Sequence, residues 1–103
     1  MPGWELINNK EKRELNSIFE KSNGVMFAHA FEKRRNNIFR VRKFEKAVAK
    51  FLGSRYCLAT TSGTMAQFIA MKAMGIKQGD EVITQSFTFV ATVEAILLLG
   101  AKP

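Results

Sequence analysis

Apolar residues recur along the chain in two rhythms, and the change between them falls near residue 55. In the first half the spacing is helical. Leu15, Ile18 and Phe19 fall on one helix face, behind Asn8 or Asn9 as capping residue and ahead of an Asn23-Gly24 stop. A second stripe, Val41, Phe44, Val48, Phe51 and Leu52, leaves Arg40, Arg42, Lys43, Lys46 and Lys50 mostly off the apolar face, and Gly53 closes it. Two amphipathic helices packed on something apolar are expected here. Between them, residues 25–37 have no period and read as a loop holding at most a short turn of helix.

The second half alternates short apolar runs with turns and helical stretches. Tyr56-Cys57-Leu58-Ala59-Thr60 reads as a strand, followed by Thr61-Ser62-Gly63-Thr64 and a helix to Met74, closed by Gly75. Gly79-Asp80 marks a turn and Glu81-Val82-Ile83-Thr84 a second strand. Ser86-Phe87-Thr88 then opens a helix to about Leu99, closed by Gly100, and Ala101-Lys102-Pro103 looks like the entry to a third strand. Strand, helix, strand, helix, strand at this spacing predicts parallel βαβ units in an α/β fold. The expected division is a basic helical segment over 1–55 and the start of an incomplete α/β domain over 56–103.

Composition narrows the function classes. With 103 residues, 47% hydrophobic and 24% charged, the chain has the makeup of one globular domain. One cysteine (Cys57) and one histidine (His29) exclude an internal disulfide and a Cys/His zinc cluster, so no metal site is expected and a reducing, cytoplasmic setting fits. No signal peptide follows Met1, and Phe87–Leu99 is too short and too polar for the ~20 residues of a spanning helix. The net charge of +7 lies wholly in the front: residues 1–55 hold 13 Lys/Arg against 6 Asp/Glu, and the remainder 3 against 3. Such a front attracts phosphorylated ligands, nucleic acid or anionic membrane, or is a solvated helix face.

Two turns carry candidate chemistry. Thr60-Thr61-Ser62-Gly63-Thr64 joins strand to helix. There hydroxyls, free N–H groups and the helix dipole favour an anion, and Gly63 lets it approach; an ordinary N-cap turn has the same composition. Phe87 and Phe89 fall at the carboxyl end of the next strand, where ligands of open α/β sheets bind. An aromatic there stacks on a flat ligand or belongs to the core. His29 reads as a surface residue, Cys57 as small and buried, and Lys72, Lys77 and Lys102 as surface lysines. Lys33-Arg34-Arg35 is a basic run able to meet a nucleotide diphosphate.

From about Val41 onward the sequence resembles the DegT/DnrJ/EryC1/StrS sugar aminotransferases, a branch of the fold-type I pyridoxal-phosphate enzymes. The resemblance rests on Phe44-Glu45, Ala49 and Phe51-Leu52-Gly53, then Thr61-Ser62-Gly63-Thr64-Met65-Ala66. Gly79-Asp80-Glu81-Val82-Ile83, Ser86-Phe87-Thr88-Phe89-Val90-Ala91-Thr92, Ala95-Ile96 and Gly100-Ala101-Lys102-Pro103 follow in order. It implies a partial large domain of the pyridoxal-phosphate transferase fold, acting on glutamate and a nucleotide-linked keto-sugar in sugar or polysaccharide biosynthesis. A keto-inositol or other cyclic ketone is the rival substrate, and a small basic nucleic-acid-binding α/β module the rival class. It also implies a homodimer with no nucleic-acid or membrane partner. The pyridoxal 5'-phosphate group would lie against Gly63, Thr64 and the Met65 N–H, with Phe89 flat on its ring. Met65 stands where the family often has Ala, and residues 25–37 are longer and more basic than the usual entry loop. The family's Schiff-base lysine and pyridinium-pairing aspartate match no residue up to Pro103, so the resemblance implies a fragment without catalytic residues, inactive alone.

Overall fold

The computed structural model describes residues 3–27 and 30–103, with the side chain of Trp4 left aside. It divides into two compact units, residues 1–57 and residues 58–103.

In the first unit a 3-10 turn, Trp4–Leu6, leads into α1, Asn9–Ser22. The start is fixed by a capping box: Asn8 Oδ1 accepts from the Lys10 N–H at 2.9 Å, and the Asn8 N–H donates to Glu11 Oε2 at 2.8 Å. The stop is equally local. Asn23 adopts the left-handed conformation (φ 50°), Gly24 continues it (φ 71°), and its N–H returns to the Ile18 carbonyl. Helix α2, Arg40–Phe51, ends as expected at Gly53 (φ 65°), where the Ser54 N–H donates to the Ala49 carbonyl at 2.9 Å. Arg40 ties the two helices, with an ion pair to Glu14 at 2.8 Å and a bond to Ser17 Oγ at 2.6 Å. The expected apolar packing of these helices is only partly met: Ala49 is buried, but Leu15, Phe19, Phe44, Phe51 and Leu52 remain exposed.

The connection between α1 and α2 is a built loop. Arg35 is its centre at 3% exposure, donating to the carbonyls of Ile38 (2.9 Å), Phe27 (2.6 Å) and, more weakly, Ala30 (3.4 Å). Its guanidinium also lies 4.4 Å from the centroid of the Phe39 ring, with Arg42 at 4.1 Å from the same centroid. Asn23 Nδ2 donates to the Arg34 carbonyl and Asn36 Nδ2 to the Lys21 carbonyl, clamping the loop to the end of α1. Ala30 (φ 66°) and Phe31 (φ 59°) are left-handed, a conformation costing about 1–2 kcal/mol for a residue with a Cβ. Asn36 and Asn37 share it at lower cost because their short amides bond locally.

The second unit pairs α3, Gly63–Ala73, with α4, Val90–Leu97. Its core is Ile96, Leu99 and Ala101, with Phe68, Met71, Ile76 and Val82 packed against it. The expected βαβ pattern is met only in part. Residues 56–60 take no regular secondary structure, and strand pairing among the described residues is one parallel bridge, Glu81 to Lys102. That bridge is well made: the Val82 N–H donates to the Lys102 carbonyl and the Lys102 N–H to the Asp80 carbonyl, both at 2.8 Å. A strand exists only beside a neighbour, and 81–84 meets one at its first residues alone. Helix α4 follows the Ser86-Phe87-Thr88 turn and starts at Val90, with Gln85 Nε2 donating to Thr88 Oγ1 at 3.5 Å ahead of it. Among the described residues no helix is long and apolar enough to cross a membrane.

Candidate functional site

The turn before α3 is organised by hydroxyls. Thr60 Oγ1 donates to the Ser62 carbonyl at 2.9 Å, holding the residue ahead of the helix in an extended conformation. Ser62 is the cap: its Oγ accepts from the Met65 N–H at 3.2 Å, while its carbonyl accepts from the Ala66 N–H at 3.0 Å. The N–H groups of Gly63 and Thr64 have no acceptor among the described residues. A Cβ built on Gly63 would meet nothing within 4 Å, so the space above the helix end is open.

These are the features of an anion cradle: unpaired donors at the positive end of an 11-residue helix, with a hydroxyl on Thr64 and no side chain on Gly63. The sequence pattern singled out the run of hydroxyls but not which one caps. Ser62 takes that part, and the Met65 N–H is bound to it, so an anion would first meet Gly63 and Thr64. The signal was available, because Ser62 lies three residues before Met65, the spacing of an N-cap bond.

Phe89 immediately precedes α4 in extended conformation (φ −67°, ψ 141°) and is 79% exposed. Its carbonyl accepts from the Thr92 N–H at 3.0 Å, and Thr88 Oγ1 lies 3.0 Å from Thr92 Oγ1, so bonds on both sides fix its backbone. Phe87 is fully exposed as well. Neither ring belongs to the core, which leaves both faces free for a flat ligand.

The remaining sequence candidates separate. Lys72, Lys77 and Lys102 are exposed, and Cys57 is a free, half-buried thiol. The basic run splits: Lys33 and Arg34 are exposed while Arg35 turns inward onto carbonyls. His29 lies outside the described residues. Among the described residues, Glu11 is the titrating group with a resolved perturbation. The Asn8 N–H and its own backbone N–H hold its carboxyl below the usual carboxylate range.

This fold has a solved counterpart. The crystal structure of NtdA from Bacillus subtilis with bound cofactor PMP superposes with a TM-score of 0.74 at 32% identity, covering 99% of this chain and 22% of that one. The chain thus shares the fold of part of NtdA. Residues 22–103 match the DegT/DnrJ/EryC1/StrS aminotransferase family, and the chain belongs to it. Among curated relatives, it is 49% identical over 63 residues to the UDP-2-acetamido-2-deoxy-3-oxo-D-glucuronate aminotransferase of Pseudomonas aeruginosa, covering 61% of this chain and 18% of that protein. It is 47% identical over 64 residues to the spore coat polysaccharide biosynthesis protein SpsC of Bacillus subtilis, covering 62% and 16%. The chain therefore spans less than a quarter of the length of each of these proteins.

Proposed function

We propose that this chain is the cofactor-phosphate end of a pyridoxal-phosphate-dependent aminotransferase that moves an amino group from glutamate to a nucleotide-linked keto-sugar. The observation that carries this reading is the open, donor-bearing start of α3 within the family-matching residues 22–103. In this reading residues 56–103 begin the α/β large domain, residues 1–55 form the basic helical segment, and the whole enzyme is a cytoplasmic homodimer in sugar or polysaccharide biosynthesis.

The residues present fit the group. Gly63 and Thr64 would hold its phosphate through two backbone N–H groups and the Thr64 hydroxyl, without displacing the Ser62 cap. Phe89, exposed and fixed by the Thr88–Thr92 turn, would cover one face of its ring. When bound, the cofactor carries the amino group between donor and acceptor and withdraws electrons from the reacting carbon. The chain's own part would be binding and orientation: the helix end would fix the phosphate, the phenyl ring would fix the plane, and both would exclude water from that side.

PMP needs no covalent lysine to bind, so the cradle is testable on this chain. Titration of PMP, followed by its fluorescence, should show Thr64→Ala weakening binding about tenfold, the scale of one charge-assisted hydrogen bond. Lys72→Ala should leave it unchanged. Equal losses in both variants would refute the cradle. The reaction itself is tested in the full-length protein, as transfer of ¹⁵N from labelled glutamate to a nucleotide-linked keto-sugar.

A further inference from the structure

Arg42, Lys46 and Ala49 follow one another on α2 at helical spacing and share one face of it. The stop at Gly53 then sets the chain beside that face. The Ser54 N–H is bound to the Ala49 carbonyl, and Ser54 Oγ donates to the Tyr56 carbonyl, each at 2.9 Å. Arg55, Tyr56 and Cys57 thereby line, with the three helical residues, a cavity of about 440 Å³. Ala49 is buried and offers only a methyl group, which leaves the space open. Three cations meet in this lining against one acid, Glu45.

The charge of the cations is unspent. Arg42 lies 4.1 Å from the Phe39 ring centroid and Arg55 lies 5.3 Å from that of Tyr56. A guanidinium held over a ring keeps its N–H donors for a further partner. Among the described residues neither guanidinium donates a hydrogen bond, and Arg42, Lys46 and Arg55 enter no ion pair. Arg42 and Lys46 are moreover like charges four residues apart, an arrangement that weakens a helix unless an anion stands between them. Lys43 and Lys50 on the same helix are exposed and stand outside the cavity, as ordinary solvated cations do.

We infer that this cavity binds a small polyanion of the pyrophosphate class, neutralised by Arg42, Lys46 and Arg55 and flanked by the Tyr56 ring and the Cys57 thiol. Two stretches of chain bring their cations to one concave space, which suits a compact ligand with adjacent negative charges. A nucleic-acid backbone requires cations spread along an open groove instead.

Cys57 is the one cysteine of the chain, so its alkylation reports on the cavity. The same thiolate reacts with anionic iodoacetate and with neutral iodoacetamide, and the ratio of the two rates reads the local charge. In the folded chain this ratio should exceed that of the urea-unfolded chain about tenfold. Inorganic pyrophosphate should slow iodoacetamide, whereas sodium chloride at equal ionic strength should not, because screening does not act on a neutral reagent. Arg42→Gln/Lys46→Gln, and separately Arg55→Gln, should bring the ratio towards the unfolded value and weaken the protection. Lys43→Gln/Lys50→Gln removes the same charge from the same helix and should keep both. A ratio equal to that of the unfolded chain, chloride protecting as well as pyrophosphate, or equal losses in the two double variants overturns the site. So does octauridylate protecting Cys57 at a lower concentration than pyrophosphate, which would assign this face to nucleic acid.

Discussion

Arg35 shows what a single residue can decide in this chain. Its side chain, itself buried, supplies charge-assisted hydrogen bonds to loop carbonyls, and a planar fork reaches two of them at once. Arg35→Ala should destabilise the first unit by about 2–3 kcal/mol, and Arg35→Lys should recover little, because an ammonium has no such fork. Arg34→Ala, one position away but exposed, should stay within about 0.5 kcal/mol. Denaturant melts of the three variants check the order. In the sequence the three basic residues 33–35 were equivalent; which one turns inward depends on loop carbonyls that no periodic pattern encodes. Gly63 is the converse case. It is the first residue of α3, its φ is not positive, and open space surrounds a built Cβ. Gly63→Ala should therefore be neutral or stabilising by up to about 1 kcal/mol through helix propensity. The same methyl would stand where a phosphate must approach, so PMP affinity should fall while the melting temperature holds or rises. A joint fall in both would show that the glycine serves the fold instead.

The helices were legible because their signals are short-range. Asn8, Asn23-Gly24 and Gly53 each act within a turn of the helix end they fix, and the structure uses each as the pattern implied. Strand pairing was not legible to the same degree, since a bridge such as Glu81 to Lys102 joins residues across an intervening helix. The apolar run 56–60 meets the local criteria for a strand and still takes no regular secondary structure. Gly100 closes that bridge: its φ is 71°, and a Cβ there would come within 3.1 Å of Gln78 Cγ. Gly100→Ala should cost about 1–2 kcal/mol. Gly75→Ala, with φ 90° but open space, should cost only the conformational part, so the Gly100 variant should melt lower. The capping box of α1 adds a pH dependence. The Glu11 carboxyl titrates lower in the folded chain than in the unfolded one, so its stabilisation is complete above the ordinary carboxylate range. It is lost as pH falls through the lowered value. Far-ultraviolet dichroism should therefore show α1 losing helix on acidification. Glu11→Gln, which keeps a bonding side chain without a titrating one, should flatten that loss; identical acid profiles would remove the capping box as its cause.

At the scale of the whole molecule, family membership was the most legible property, because ordered blocks of residues spread over the last 60 or so positions carried it and residues 22–103 match. Burial was the least legible. The amphipathic stripes of α1 and α2 predicted packed faces, yet Phe44, Phe51 and Leu52 stand mostly in solvent, as do Leu58, Phe87 and Phe89 in the second unit. Apolar side chains exposed in this number favour association. The positive charge of the front half opposes it, and salt screens that repulsion while leaving apolar attraction intact. The 103-residue chain should consequently sediment as a concentration-dependent oligomer, and raising the ionic strength should shift it towards larger species. Replacing Phe44 and Phe51 by Ser, both exposed on α2, should return part of the population to monomer without loss of helicity. A chain that sediments as a monomer at every concentration and salt level would contradict the argument, and would place these side chains in a packed arrangement that shields them from water.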